Sequence, residues 1–257
     1  MSDAQTVISK GEGAPLILLH GLGYGADYWR LQIDAFAPHY RVIAWNMPGY
    51  GGTQPLEHMT FPALSQALAA EMDRLEIDCA HILGHSMGGM LALDFAATYP
   101  ERLKSLILFG ASAAFPPADS DFAKAFVAAR LDPLEVGGTM ADVAWEMERD
   151  HFGPGADVEG MKISRYAIAA CPVETYRQSL DCLVHFDRRE ALEKIAAPTL
   201  VIAAENDINA PAKGVEKMSS KIPGATYVCL EGVGHLANLE KPQAFNRLVL
   251  DFLDRQR

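Results

Sequence analysis

The feature that most constrains this chain is the octapeptide Ile82-Leu83-Gly84-His85-Ser86-Met87-Gly88-Gly89. Residues 80–83 form a short apolar run that predicts a buried strand. From Met87 the pattern turns helical through Met90, Leu91, Leu93 and Phe95 to Tyr99, where Pro100 stops it. Between strand and helix stands one serine in Gly-X-Ser-X-Gly spacing. To point Ser86 Oγ out of the sheet, the backbone must turn sharply with Ser86 in a strained conformation. The residues two before and two after it then crowd each other and the neighbouring strand. Only very small side chains fit there, and both are glycine, Gly84 and Gly88. Gly89 lets the new helix pack close to the sheet. Ser86 is therefore expected at a helix N-terminus, where free N–H groups and the dipole favour developing negative charge.

The flanking chain repeats the strand-then-helix rhythm. Residues 16–19 and 41–45 read as strands apolar on both faces, which implies a sheet covered on both sides. Residues 5–9 predict a short strand before them, and 103–109 another after the elbow. Residues 28–36 and 61–75 carry helical spacing. This alternation predicts a mostly parallel sheet with helices on both faces. After Ser112 the rhythm breaks. Residues 113–190 show no strand pattern and read as helices over 122–130, 140–152, 158–169 and 175–186, with Pro133, Pro154 and Pro172 between them. The rhythm resumes with strands at 199–203 and 226–230 and helices at 210–221 and 242–253. The expected organisation is an α/β core made of 1–112 and 191–257, with a helical cap at 113–190. At 257 residues the chain suits one domain with an insertion.

Composition excludes several classes. The 22 Lys and Arg against 33 Asp and Glu leave a formal charge of −11, with no basic cluster, so no nucleic-acid partner is expected. The loop with Gly21, Gly23 and Gly25 lacks the Walker spacing and its lysine, so it is read as presenting a backbone N–H rather than holding phosphate. The four cysteines never fall at Cys-X-X-Cys spacing, so zinc is not expected; no other metal and no cofactor is expected either. The cysteines read as free thiols of a cytoplasmic protein. The start lacks the basic and apolar regions of a signal peptide, and no apolar run approaches the roughly 20 residues of a membrane span.

A serine alone is a poor nucleophile near neutral pH; it needs a base, and the base an orienter. In such a sheet both partners belong in loops at the strands' C-terminal ends. The strand at 226–230 leads to His235, and the strand at 199–203 to Asp207, with Glu205 as a rival acid. Of the other histidines, His39, His58, His81, His151 and His185 read as ordinary surface or core residues. His85 points away from Ser86, and His20 braces its loop. Two N–H donors are needed where charge develops. Met87 supplies one directly after the serine, and Leu22 the other.

These residues resemble the α/β-hydrolase family across nearly the whole chain. The likeness lies in the His20-Gly21 loop, the Pro48-Gly49-Tyr50-Gly51 turn, the Gly84-to-Gly89 elbow, Asp207, and Gly234-His235 followed by Glu240-Lys241-Pro242. The run from His235 to Asn246 is similar to the tail of oxoadipate enol-lactonases. The resemblance implies a cofactor-independent serine hydrolase of a small carboxylic ester or lactone. Three rivals stand beside it: hydrolysis of a carbon–carbon bond in a ring-cleavage product, a cofactor-free haloperoxidase or perhydrolase, and a hydrolase-fold small-molecule receptor. Substrate contacts are expected from the insertion, Trp145 and Phe115 first, with Phe126, Met147, Met161 and Tyr166 as further apolar candidates. An acidic substrate would want an inward arginine, and Arg130, Arg149, Arg165 and Arg177 are the candidates.

Overall fold

The structure, a computed structural model, describes residues 6–256. Strand β1 (Val7–Lys10) opens the chain and is followed by β2 (Pro15–Leu19), helix α1 (Arg30–Phe36) and β3 (Arg41–Trp45). Then come α2 (Phe61–Arg74), β4 (Ala80–His85), α3 (Met87–Thr98) and β5 (Leu103–Phe109). The expected strand at 5–9 appears two residues later; Gln5 lies outside the described residues. Residues 26–29 tighten into a 3₁₀ turn instead of extending α1 backwards.

Seven strands join in one sheet in the order β1-β3-β2-β4-β5-β6-β7, all parallel except β1, which runs antiparallel to β3. Here β6 is Thr199–Ala204 and β7 is Thr226–Leu230. The chain steps outward from β2 to β3, then crosses back to β4, so β2 and β4 are neighbours whose connections leave in opposite directions. Such a switch point opens a crevice at the strands' C-terminal ends. All residues of β4 and β6 are buried, as the continuous apolar runs require; the edge strand β7 is only partly covered.

Between β5 and β6 stand α4 (Asp121–Glu135), α5 (Met140–His151), α6 (Val158–Ala169) and α7 (Val173–Val184). Pro133 does not separate helices as expected but lies inside α4. It falls in the last turn, where its missing N–H costs one bond, and the Gly138 N–H closes the end on the Pro133 carbonyl at 2.8 Å. The segment is clasped at its roots by an isolated bridge between Ala114 and Asp187. It is also tied to α3 by Arg188, whose Nε donates to the buried Asp94 carboxylate at 2.6 Å. After β6, Pro211 delays helix α8 to Ala212–Ser219; the short α9 (Ala237–Glu240) and α10 (Pro242–Asp254) complete the chain.

Candidate active site

Ser86 stands at the switch point, between the end of β4 and the start of α3. Its φ of 53° and ψ of −119° lie outside the regions that L-residues favour. Strain of that kind costs about 1–3 kcal/mol and persists only where the surroundings over-determine it. The Ser86 N–H donates to the Phe109 carbonyl at 2.9 Å, and the Ser86 carbonyl accepts from Gly89 and Met90 N–H groups at 2.9 and 3.0 Å. A Cβ at Gly84 would fall 2.2 Å from the Gly88 carbonyl oxygen, and one at Gly88 2.2 Å from that of Leu19. Both glycines are thus required by backbone contact.

His235 follows β7, and Asp207 follows β6. The imidazole Nδ1 lies 2.7 Å from Asp207 Oδ2, with both residues buried. The other carboxylate oxygen accepts from the Asn209 and Ala210 N–H groups at 2.8 and 2.9 Å. Burial alone would raise the Asp207 pKa, but the His235 charge and hydrogen bond and these backbone donors outweigh it and hold the group below its ordinary value. An ionised Asp207 can only accept, so the tautomer of the neutral imidazole is the one with its proton on Nδ1 and its lone pair on Nε2. The rival acid, Glu205, instead accepts from the Gly232 N–H at 2.8 Å. The His235 loop is itself held by Glu240, which accepts from Gly234 and Gly153 N–H groups at 2.8 and 2.9 Å.

Ser86 and His235 open on one cavity of about 230 Å³, to which Leu22 also contributes. The first N–H groups of α3 have no intrahelical acceptor, and Met87 carries the first of them. In the facing loop the Gly23 N–H is engaged by the Tyr50 hydroxyl and the Tyr24 N–H by the Gly21 carbonyl, with Leu22 just before them. His20 sets that loop. Its Nε2 accepts from the Met47 N–H at 3.2 Å, so its Nδ1 is the donor to the Gly21 carbonyl at 2.9 Å. Complete burial lowers its pKa to about 4. His85 turns away from the cavity, stacks on Tyr28 and lies 3.0 Å from the His235 carbonyl through Nε2.

The insertion and the loop and helix after β6 supply much of the remaining wall. Phe115, Phe126 and Met147 line the cavity, and Phe122 and Ile208, 55% and 62% exposed, stand at its mouth. Trp145 does not reach it. It is 56% exposed on the outer side of α5 beneath the Arg165 guanidinium, because the buried face of that helix is Val143, Ala144, Met147 and His151. Tyr166 is 66% exposed, and Met161 is likewise absent from the wall. Among the arginine candidates only Arg130 lines the cavity. His151, ordinary by its sequence context, lies in the wall, its ring centroid 5.2 Å from that of His235 and its Nδ1 2.9 Å from the Tyr24 hydroxyl. Nothing local in the sequence marks it, since its neighbours come from other elements.

The model of the alpha/beta hydrolase fold family matches residues 14–242. A 2-hydroxy-6-oxononadienedioate/2-hydroxy-6-oxononatrienedioate hydrolase from Burkholderia vietnamiensis is 32% identical, over 93% of this chain and 87% of the relative. The 3-oxoadipate enol-lactonase 1 of Acinetobacter baylyi is 27% identical, over 96% and 91%. The solved structure of a thermophilic esterase from Thermogutta terrifontis, with malate bound, superposes with a TM-score of 0.89 at 26% identity, covering 97% of this chain and 93% of that one. Among the described residues no helix is long and apolar enough to cross a membrane.

Proposed function

This chain belongs to the α/β-hydrolase family, and on that premise we propose that it is a cofactor-independent serine hydrolase of a small carboxylic ester or lactone. The observation that carries the reading is the 2.7 Å contact from Asp207 to His235 Nδ1, with Ser86 on the same cavity. Ser86 Oγ attacks the substrate carbonyl carbon while His235 Nε2 takes its proton. Asp207 holds the imidazolium so formed, and the Leu22 and Met87 N–H groups receive the oxyanion. Collapse expels the alcohol oxygen, which takes the proton back from His235. Water, deprotonated by the same imidazole, then cleaves the acyl-enzyme. Residues 113–190 act as the cap that sets specificity. The cavity is smaller than the roughly 300–1,000 Å³ of drug-sized sites, which supports a short acyl group.

The test is intact mass after incubation with a fluorophosphonate, followed by a screen of esters, lactones and dienoates. One adduct on the wild type that is absent from Ser86→Ala, together with turnover of an ester or lactone lowered about 10⁴–10⁶-fold in that variant, is the expected result. No adduct on folded protein would overturn the assignment of Ser86. The Burkholderia relative favours one second reading, carbon–carbon hydrolysis by the same residues. Loss of dienoate absorbance with no turnover of esters would select it.

A further inference from the structure

Arg130 is 7% exposed, yet it makes no ion pair with any described carboxylate. The other three arginines considered for this role all have one: Arg149 with Glu146 at 3.1 Å, Arg165 with Glu148 at 2.8 Å and Arg177 with Glu135 at 2.8 Å. The Arg130 fork has five N–H donors and cannot shed its charge in the working pH range. Nη1 donates to the Phe126 carbonyl at 3.2 Å and Nη2 to Asn209 Oδ1 at 2.8 Å, while Nε has no partner among the described residues. The Phe126 ring lies under Cζ at 3.4 Å and holds the fork against the cavity wall. A buried cation with no carboxylate in ion-pair contact is costly; Asp150 acts on it only through space. The cost is offset if the counter-charge arrives with the ligand. The ligand's place is fixed as well, because Arg130 shares its cavity with Ser86 and His235. Asn209, which Arg130 grips, also donates its N–H to Asp207, so the cationic end of the cavity borders the acid of the triad.

We propose that Arg130 is the anchor for a carboxylate on the substrate, so that the preferred substrates are short esters or lactones bearing a second, free carboxylate. This deepens the serine-hydrolase reading and rests on it. The chain's net charge of −11 repels anions at long range, so a preference for an anionic substrate must come from a local cation. The small cavity limits the spacer between the scissile carbonyl and the acid to a few carbons.

The experiment compares two esters that differ only at one end, mono-4-nitrophenyl glutarate and 4-nitrophenyl pentanoate. Wild type is expected to favour the glutarate about 10–100-fold in kcat/KM, mostly through KM, as for one charge-assisted hydrogen-bonded pair. In Arg130→Met the ratio should fall to about one. In Arg130→Lys, which keeps charge without the fork and serves if the methionine variant does not fold, it should fall part of the way. Glutarate binding to Ser86→Ala, followed by calorimetry, separates the two readings. Glutarate binding that disappears in the Ser86→Ala, Arg130→Met double variant, or weakens in Ser86→Ala, Arg130→Lys, keeps the anchor even if neither ester is hydrolysed. Hydrolysis of both esters at equal efficiency with no glutarate binding overturns the anchor and leaves Ser86 standing. A glutarate preference that survives in the Arg130 variants also overturns it and makes Arg130 a brace for Asn209 alone.

Discussion

Gly84→Ala tests the elbow directly. The added methyl would lie 2.2 Å from the Gly88 carbonyl oxygen, 2.5 Å from its carbon and 2.7 Å from Gly89 Cα, all of them backbone. Reaching ordinary contact requires a retreat of roughly 1.2 Å, and no side chain can rotate to provide it. Gly88 cannot yield, because it is itself pressed toward the Leu19 and His20 carbonyls of the β2 end. The cost therefore falls at or above the upper end of ordinary overpacking, about 3 kcal/mol. For a domain of this size that lowers Tm by roughly 6–12 °C. The displacement passes through residues two and three positions from Ser86, and a misplacement near 1 Å costs about 100-fold in rate. Thermal unfolding together with the fluorophosphonate labelling rate measures both effects. Gly214→Ala is the control: a Cβ there meets nothing within 4 Å, and helix α8 should gain about 0.5–1 kcal/mol. A Gly84→Ala protein that melts within 2 °C of wild type and labels at the same rate would refute the steric reasoning.

Asp207→Asn replaces an acceptor by an amide. Its N–H facing His235 Nδ1 forces the imidazole into the wrong tautomer, so kcat should fall about 10⁴-fold with the fold intact; a loss below tenfold in steady-state assays would remove Asp207 from the role given to it. His20 gives the fold an acid limit. Its pKa is 6.5 ordinarily and about 4 when buried, so between those values the unfolded chain binds a proton the folded chain refuses, and stability falls as pH falls across that window by up to about 3 kcal/mol. Urea melts at pH 4.5 and 7 should show that loss in wild type and a smaller one in His20→Gln; equal slopes would contradict it. Trp145→Ala should leave kcat/KM within twofold and cost under about 1 kcal/mol, the lost stacking on Arg165 being exposed; a tenfold rise in KM in the same ester assay would return Trp145 to the cavity.

What the sequence determined by itself was local in its physics. Apolar runs marked β2, β3, β4 and β6, because a strand covered on both faces has nowhere to put a polar side chain. Gly84 announced the turn at Ser86, since its crowding by Gly88 and Gly89 arises within six residues of chain, whereas Gly88 is crowded by Leu19 and His20 and Gly89 by Ala111. Asp207 and His235 could be picked out because each lies in the loop that follows a strand, and strand ends converge in a parallel sheet. Trp145 itself carried a signal: it stands two positions from both Val143 and Met147, about 180° around the helix from the face they share. Tertiary structure decided the rest. Arg149 pairs with Glu146 three residues before it on the same helix, but only packing put Arg165 and Arg177 beside carboxylates and turned Arg130 onto the cavity. It also brought His151 beside His235, 84 positions further along the chain, and buried His20 against the Met47 N–H. These contacts join elements far apart in sequence, and no periodicity within a segment encodes which face of another segment it will meet.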